Sequence, residues 1–298
     1  MGVGENGRYA MKYVYAYGSR QGGRAHNEDR VAVAERDRAI FMVLGDGLGG
    51  HKGGALASET LCRVAINAFR AVRSPLIQDP SNFLALVAFQ AHHSLRTLGK
   101  KLPTDVEPRT TCVLCLVQNG CAYWAHVGDS RLYHFHHDTL AERTQDHTVV
   151  DKLQARGILD ERESRIHPEK SRLLACLGGH DEPTVSLSAE TPLKTGDLLV
   201  LCSDGVWEAM ATHEFARSLA HPVLENGLTD LLLEAEHRGR GTSDNISAVS
   251  LRWQDASATP LGLAPHPRRL TAEAFWSEGQ KLAVHNKLRD GMPPKAPS

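Results

Sequence analysis

Thr110-Thr-Cys-Val-Leu-Cys-Leu-Val117, then Gln118-Asn119-Gly120, then Cys121-Ala-Tyr-Trp-Ala-His-Val127, reads as two strands and the turn between them. Asn-Gly accepts the positive φ angles of a two-residue type I′ turn, and β-branched and aromatic residues fill both flanks. Working outward, Gly128-Asp129-Ser130 breaks the second strand and Arg131 to Phe135 starts another. Upstream, Val31 to Ala34 and Ala39 to Leu44 have the same character, and Ile246 to Trp253 is the last such run. Strands that arrive in hairpins, rather than singly between helices, indicate antiparallel sheets and an α+β chain.

Two helices are legible ahead of the hairpin. Leu61, Val64, Ala68 and Val72 recur at helical spacing, as do Leu84, Val87, Ala91, Leu95 and Leu98, with Gly99 as a stop. Each has one apolar stripe, which packs a helix on the outside of a sheet. Further helices are expected over Val149 to Arg156, ended by Gly157, and near Glu214 to Ala220 and Leu228 to His237. After Trp253, Pro260, Pro265 and Pro267 interrupt small residues in the manner of a linker, and a helix is expected from Thr271 to Arg289, stopping near Gly291. The domain division that follows is 13–253 for the folded unit and 254–298 for a linker and tail with one helix.

Acidic and basic residues nearly cancel over the 298 residues, 35 against 34, so no field favours nucleic acid or an anionic membrane. No run of about 18 apolar residues offers a bilayer span, and Met1 to Tyr13 lacks the apolar core of a signal peptide. A soluble cytoplasmic monomer is expected. Cys62, Cys112, Cys115, Cys121 and Cys202 sit in apolar runs as small hydrophobes. Cys112 and Cys115 form a C-x-x-C, but on a strand side chains three apart point to opposite faces, which argues against a redox or zinc pair.

The chemistry is signalled by acidic turns. Apolar strands run out into Gly45-Asp46-Gly47, Gly128-Asp129-Ser130 and Ser203-Asp204-Gly205, Asp244-Asn245 leads into the final strand, and Asn27-Glu28-Asp29 precedes the strand at Val31. Singly, each is an ordinary turn whose side chain caps its own backbone. Together they would crowd carboxylates at one sheet edge, where they repel unless cations lie between them. Oxygen ligands of this kind suit Mg²⁺ or Mn²⁺, whereas zinc prefers His or Cys. His134-x-His136 and His92-His93 lack a second pair at zinc-like spacing.

The loop Gly45-Asp-Gly47-Leu-Gly-Gly50 also satisfies G-x-G-x-x-G. A dinucleotide site is disfavoured because Asp46 would face the pyrophosphate, and the position for a ribose-binding acid falls in the helical Ala65 to Phe69. Lys52 is followed by Gly53 rather than Ser or Thr, so this is not a P-loop. Glycines here instead let backbone approach a metal.

In order, Arg24-x-x-Asn27-Glu28-Asp29, Gly45-Asp46-Gly47-Leu-Gly-Gly50, Val127-Gly128-Asp129-Ser130-Arg131, Thr144-x-Asp146-His147, Ala175-Cys-Leu-Gly178, Leu199-Val-Leu-Cys-Ser203-Asp204-Gly205-Val-Trp207 and Ser243-Asp244-Asn245-Ile246 resemble the metal-dependent (PPM, or type 2C) serine/threonine protein phosphatases, in the form of their bacterial members. The match spans about residues 13 to 253. The resemblance implies a four-layer α-β-β-α sandwich of two antiparallel sheets flanked by helices, with the active site at one edge. It implies two Mn²⁺ or Mg²⁺ ions bridged by Asp46, with the Gly47 carbonyl on one and Asp204 and Asp244 on the other. Glu28 would contact the shell of the first ion and Asp29 would orient from behind. Asp129 with Asp204 would hold a weaker third ion, and Arg24 would grip phosphate.

Implied too are hydrolysis of phosphoserine and phosphothreonine by metal-activated water without a phosphoenzyme, phosphoprotein substrates, and a cognate Ser/Thr kinase. Leu48 stands where animal members carry a histidine proposed as general acid, so that role has no assigned residue. Residues 148 to 174 fall at the family's variable flap and are expected to shape substrate choice. A catalytically inactive phosphoprotein-binding relative is the rival reading; it would tolerate loss of the core carboxylates, and none is missing.

Overall fold

A computed structural model describes residues 2–5, 11–36, 38–48, 52–104, 106–160, 163, 167–170, 172–256 and 261–278. Gly49, Gly50 and Pro260, part of the flap, and the expected helix beyond residue 278 lie outside the described residues. In chain order the strands are β1 (Gly2–Glu5), β2 (Tyr13–Arg20), β3 (Arg30–Arg36), β4 (Ala39–Gly45), β5 (Gly47–Leu48), β6 (Arg109–Thr110), β7 (Cys112–Gln118), β8 (Cys121–Val127), β9 (Arg131–His136), β10 (Thr139–Arg143), β11 (Thr184–Leu187), β12 (Thr191–Pro192), β13 (Leu198–Cys202), β14 (Ile246–Trp253) and β15 (Arg268–Thr271). The helices are α1 (Lys52–Ala71), α2 (Pro80–Gly99), α3 (Val149–Ala155), α4 (Asp204–Trp207), α5 (Thr212–Leu219) and α6 (Leu224–Arg238).

The hairpin forms as its sequence dictates. Gln118 pairs with Cys121 across a two-residue turn in which Asn119 has φ 50° and Gly120 φ 74°. From it the larger sheet grows in the order β15-β11-β8-β7-β4-β3, with β12 also on β8; the other sheet runs β1-β2-β14-β13-β9-β10, and every pairing is antiparallel.

The period-two alternation of side chains sorts the core into three layers. Val113, Cys115 and Val117 of β7 meet Leu199 and Leu201 of β13 and Val249 and Leu251 of β14 between the sheets. Cys112, Leu114 and Leu116 point the other way, onto Leu61 and Phe69 of α1 and Leu84, Val87 and Leu95 of α2. On the opposite outer face Val200 and Cys202 of β13 pack with Phe215 of α5 and Leu228, Leu231 and Leu232 of α6. This is the expected α-β-β-α sandwich, and it explains why β4, β7, β8 and β13 are buried along their whole length and almost entirely apolar: they are covered on both faces. Cys112 and Cys115 lie in different layers, and the described cysteines are free thiols.

Two elements differ from expectation. The helix expected from Leu228 begins at Leu224, which is buried with the stripe; Gly227 hid its start. The stretch after Trp253 carries an unexpected strand, β15, which pairs Thr184 with Thr271 and Leu187 with Arg268 at the edge of the larger sheet. Residues 272–278 are helical. Among the described residues no helix is long and apolar enough to cross a membrane.

Candidate metal centre

Antiparallel order brings alternate strand ends together. Register partners Arg30 and Gly45, Cys112 and Val127, Arg131 and Cys202, and Ile246 and Arg20 all lie at one end of the sandwich. The acidic turns therefore converge. Arg24, Glu28, Asp46, Gly47, Asp129, Asp204 and Asp244 line one cleft of about 320 Å³, together with Ala25, His26, Leu48, Leu173 and Asn245. Asp29 lies behind its wall, 1 % exposed, and accepts from Ser203 Oγ at 2.7 Å.

Each carboxylate is fixed by its own backbone. Asp46 follows β4; its N–H donates to Thr111 Oγ1 (3.0 Å), and its carbonyl accepts from Thr111 N (2.8 Å) and Thr110 Oγ1 (2.9 Å). Asp204 opens α4 directly after β13. Trp207 of that helix donates Nε1–H to the Asp129 carbonyl at 3.0 Å, and the Arg131 guanidinium lies 3.5 Å over the Trp207 ring while Asp146 holds it bidentately. Asn245, to which the motif reading gave no role, staples the Arg24–Glu28 loop: its Oδ1 accepts from Glu28 N, and its Nδ2 donates to the Gln21 and His26 carbonyls. Gly54 was also missed; a Cβ there would stand 2.6 Å from Glu28 Oε2, and one on Gly47 would stand 2.3 Å from the Gly54 carbonyl.

The electrostatics of this cleft call for cations. Burial, then the charges of Asp29, Asp204, Asp129 and Asp244, push Asp46 well above the usual carboxylate range. Burial and the neighbouring Asp129 and Asp244 do the same to Asp204. Burial raises Asp29 to about 6 against the Ser203 hydrogen bond, and raises Asp129 to about 7, with Asp146 adding to it and Arg131 opposing. Among the described residues, Asp29 Oδ1 and Asp204 Oδ1 are buried with no hydrogen-bond partner. An all-oxygen donor set with unsatisfied buried oxygens fits hard divalent ions.

The profile of the family described as protein phosphatase 2C matches residues 19–234. The chain belongs to the protein phosphatase 2C family. Among its relatives, the serine/threonine phosphatase stp of Listeria welshimeri is 31% identical over 228 residues, covering 76% of this chain and 90% of that protein. Among solved structures, the serine/threonine phosphatase PstP/Ppp of Mycobacterium tuberculosis superposes with a TM-score of 0.70 at 27% identity, covering 82% of this chain and 99% of that one. The PstP catalytic domain in complex with 2 manganese ions gives 0.68 at 26% identity over 82% and 99% of the two chains.

Elsewhere in this phosphatase, His92, His93 and Glu182 place ligand atoms within 4.8 Å of one another, a grouping that pair spacing along the chain does not reveal. It does not suit a metal. His92 Nδ1 accepts from Gly178 N, so the proton sits on Nε2, the nitrogen that faces Glu182 at 3.7 Å.

Proposed function

We propose that Asp46 bridges two divalent ions in this cleft, with the Gly47 carbonyl on one and Asp204 and Asp244 on the other. Glu28 sits in the shell of the first and Asp29 positions from behind. Asp129 with Asp204 offers a third, weaker place. The reaction is that of the family, metal-dependent hydrolysis of phosphoserine and phosphothreonine in proteins. What supports the residue roles above all is the meeting of Asp46, Asp129, Asp204 and Asp244 in one cleft with Asp204 Oδ1 buried and unpartnered among the described residues. Ions held by these residues would supply an activated water as nucleophile and would offset the negative charge of the phosphoryl oxygens.

The chain's own groups do the rest. Arg24 stands at the rim with its side chain 55% exposed and Nη2 2.5 Å from Asp244 Oδ2; its planar fork has donors left for two phosphate oxygens. The Thr110 and Thr111 bonds keep the Asp46 backbone fixed, so its carboxylate is held in place before substrate arrives. Leu48 offers no proton to the leaving alkoxide, so none is assigned to it. Mg²⁺ as well as Mn²⁺, action opposite a Ser/Thr kinase in signalling, a cytoplasmic location and a monomeric state complete the reading.

The test is hydrolysis of p-nitrophenyl phosphate and of phosphothreonine and phosphotyrosine peptides with Mn²⁺, with Mg²⁺ and with chelator. Activity is expected only with added ions and on phosphothreonine over phosphotyrosine. Asp46→Asn and Asp204→Asn should each lower kcat by roughly a thousandfold, since such ions supply several kcal/mol of transition-state stabilisation. Full activity in chelator, or in either variant, would sink the assignment.

A further inference from the structure

Beside the acidic cleft lies a second cavity of about 470 Å³, and Leu48 and Leu173 line both. Its floor is the segment Leu174-Ala175-Cys176, part of a motif that the phosphate chemistry does not use. The segment is pinned at both ends. Leu173 bridges to Thr148 and Leu177 to Thr110, with Leu174 N donating to the His147 carbonyl at 2.7 Å and Leu177 N to the Thr110 carbonyl at 2.8 Å. Gly178, at φ 93°, donates its N–H to His92 Nδ1, and a Cβ there would stand 2.0 Å from the Pro108 carbonyl. Only glycine permits that approach, and the result is a shelf formed before any ligand arrives.

The two ends of the shelf differ in chemistry. Towards the acidic cleft it is aliphatic, with Leu174 50% exposed, a costly place for a leucine unless something covers it. Farther out, the carboxylates of Glu107, Asp181 and Glu182 face a single lining guanidinium, Arg109. Glu107 lies 3.4 Å from Arg109, and Glu182 is 3.0 Å from Arg96 on α2. Glu107 also lies 3.5 Å from His180, which lines the cavity, whereas Asp181 is exposed and has no salt bridge among the described residues. Because the two cavities share Leu48 and Leu173, a polypeptide whose phosphate sits in the acidic cleft has this groove within reach of its flanking residues.

We propose that this groove binds the polypeptide flanking the phosphorylated residue, with an aliphatic side chain against Leu173 and Leu174 and a lysine or arginine beyond it facing Asp181 and Glu107. The assignment rests on the proposed reading of the acidic cleft, and the experiment separates the two. Two phosphothreonine peptides are compared in Mn²⁺, identical except for lysines or glutamates on both flanks. The lysine peptide is expected to be favoured about tenfold in kcat/KM, chiefly through KM, and Asp181→Lys should cut that ratio by about two- to fivefold, the range for charge pairs at a partly exposed rim. Taking the ratio within one variant cancels any general loss of activity. In the same way, Leu174→Ser should narrow the preference for leucine over serine beside the phosphothreonine. Equal rates on the two charged peptides, or an unchanged ratio in Asp181→Lys, overturn the groove assignment while hydrolysis of p-nitrophenyl phosphate leaves the phosphatase reading intact. A parent enzyme that hydrolyses neither ester nor peptide overturns both.

Discussion

Arg24 and Asp244 show how a single residue pair can report on the site. The guanidinium is paired with a carboxylate that is itself a proposed metal ligand, so ions and phosphate must redistribute that contact. Arg24→Ala should raise KM more than it lowers kcat, because a group that grips phosphate in ground and transition states alike contributes uniform binding; an unchanged KM would remove Arg24 from the phosphate. The carboxylates allow a pH prediction. An aspartate in the unfolded chain titrates near 4, whereas folded Asp29 and Asp129 are raised to about 6 and about 7. Between those values the metal-free fold holds more protons than the unfolded chain, so these groups withdraw stability as pH rises from about 4 to about 7. Burial of His126 and His147, lowered to about 4 and about 3, acts in the opposite sense: the unfolded chain holds more protons below about 6.5, so stability rises with pH up to there. The two trends are separated by subtraction. Cations displace protons from the aspartates and leave the histidines alone, so Tm in Mn²⁺ minus Tm in chelator should grow from pH 5 to pH 7.5, and a difference independent of pH would count against cation binding at Asp129 and next to Asp29. Asp46, Asp129, Asp204 and Asp244 were legible because each ends or begins a strand in a short motif. Gly54 and Asn245 were harder to see, since a close approach to Glu28 and a staple across 217 residues of chain leave no local signal.

At the scale of elements, periodicity carried most of the information and failed where an element depends on a distant partner. The β7–β8 hairpin and β14 needed only alternation and a turn, and α2 only its stripe. β15 could not be read that way: Arg268-Arg-Leu-Thr271 has one buried apolar residue, Leu270, and is a strand because β11 offers it a free edge. Its approach is held by Glu190, whose carboxylate accepts from the backbone N–H groups of Leu261, Gly262 and Leu263 and from Tyr123 Oη, bonds that hold its pKa below the usual carboxylate range against the effect of burial. Beyond the strand, Phe275 is 9% exposed and its ring centroid lies 5.2 Å from that of Phe89 on α2, while Trp276 is 42% exposed. Phe275→Ala should therefore cost about 3 kcal/mol, the low end for a buried aromatic because the site is at the edge of the core, and lower Tm by roughly 6–12 °C. Trp276→Ala should change Tm far less. Thermal unfolding of the two variants checks the pair, and equal effects would place the aromatic contact elsewhere.

For the whole molecule, the question is where the catalytic unit ends. The proposed metal and phosphate ligands all precede Trp253, the family match closes at residue 234, and the inter-sheet core is complete with β14. Yet Ala264, Leu270, Ala272 and Phe275 are buried in the cluster that α1 and α2 form on the larger sheet. Chemistry and stability therefore set different boundaries. A chain ending at Asp255 loses no proposed ligand, but it bares the β11 edge and the Phe89 face of α2, and an unpaired edge beside exposed apolar surface invites association. The expectation is metal-dependent hydrolysis of p-nitrophenyl phosphate within a few-fold of the full chain, with a Tm lowered at least as far as by Phe275→Ala and a greater tendency to aggregate. The arrangement also predicts which activity suffers first. β11 begins at Thr184, which lines the second cavity, so loosening that edge should disturb hydrolysis of flanked phosphopeptides before hydrolysis of the small ester. A soluble 1–255 chain inactive on the small ester would show that the strand after residue 255 completes the catalytic unit, and the boundary at 253 would then be wrong.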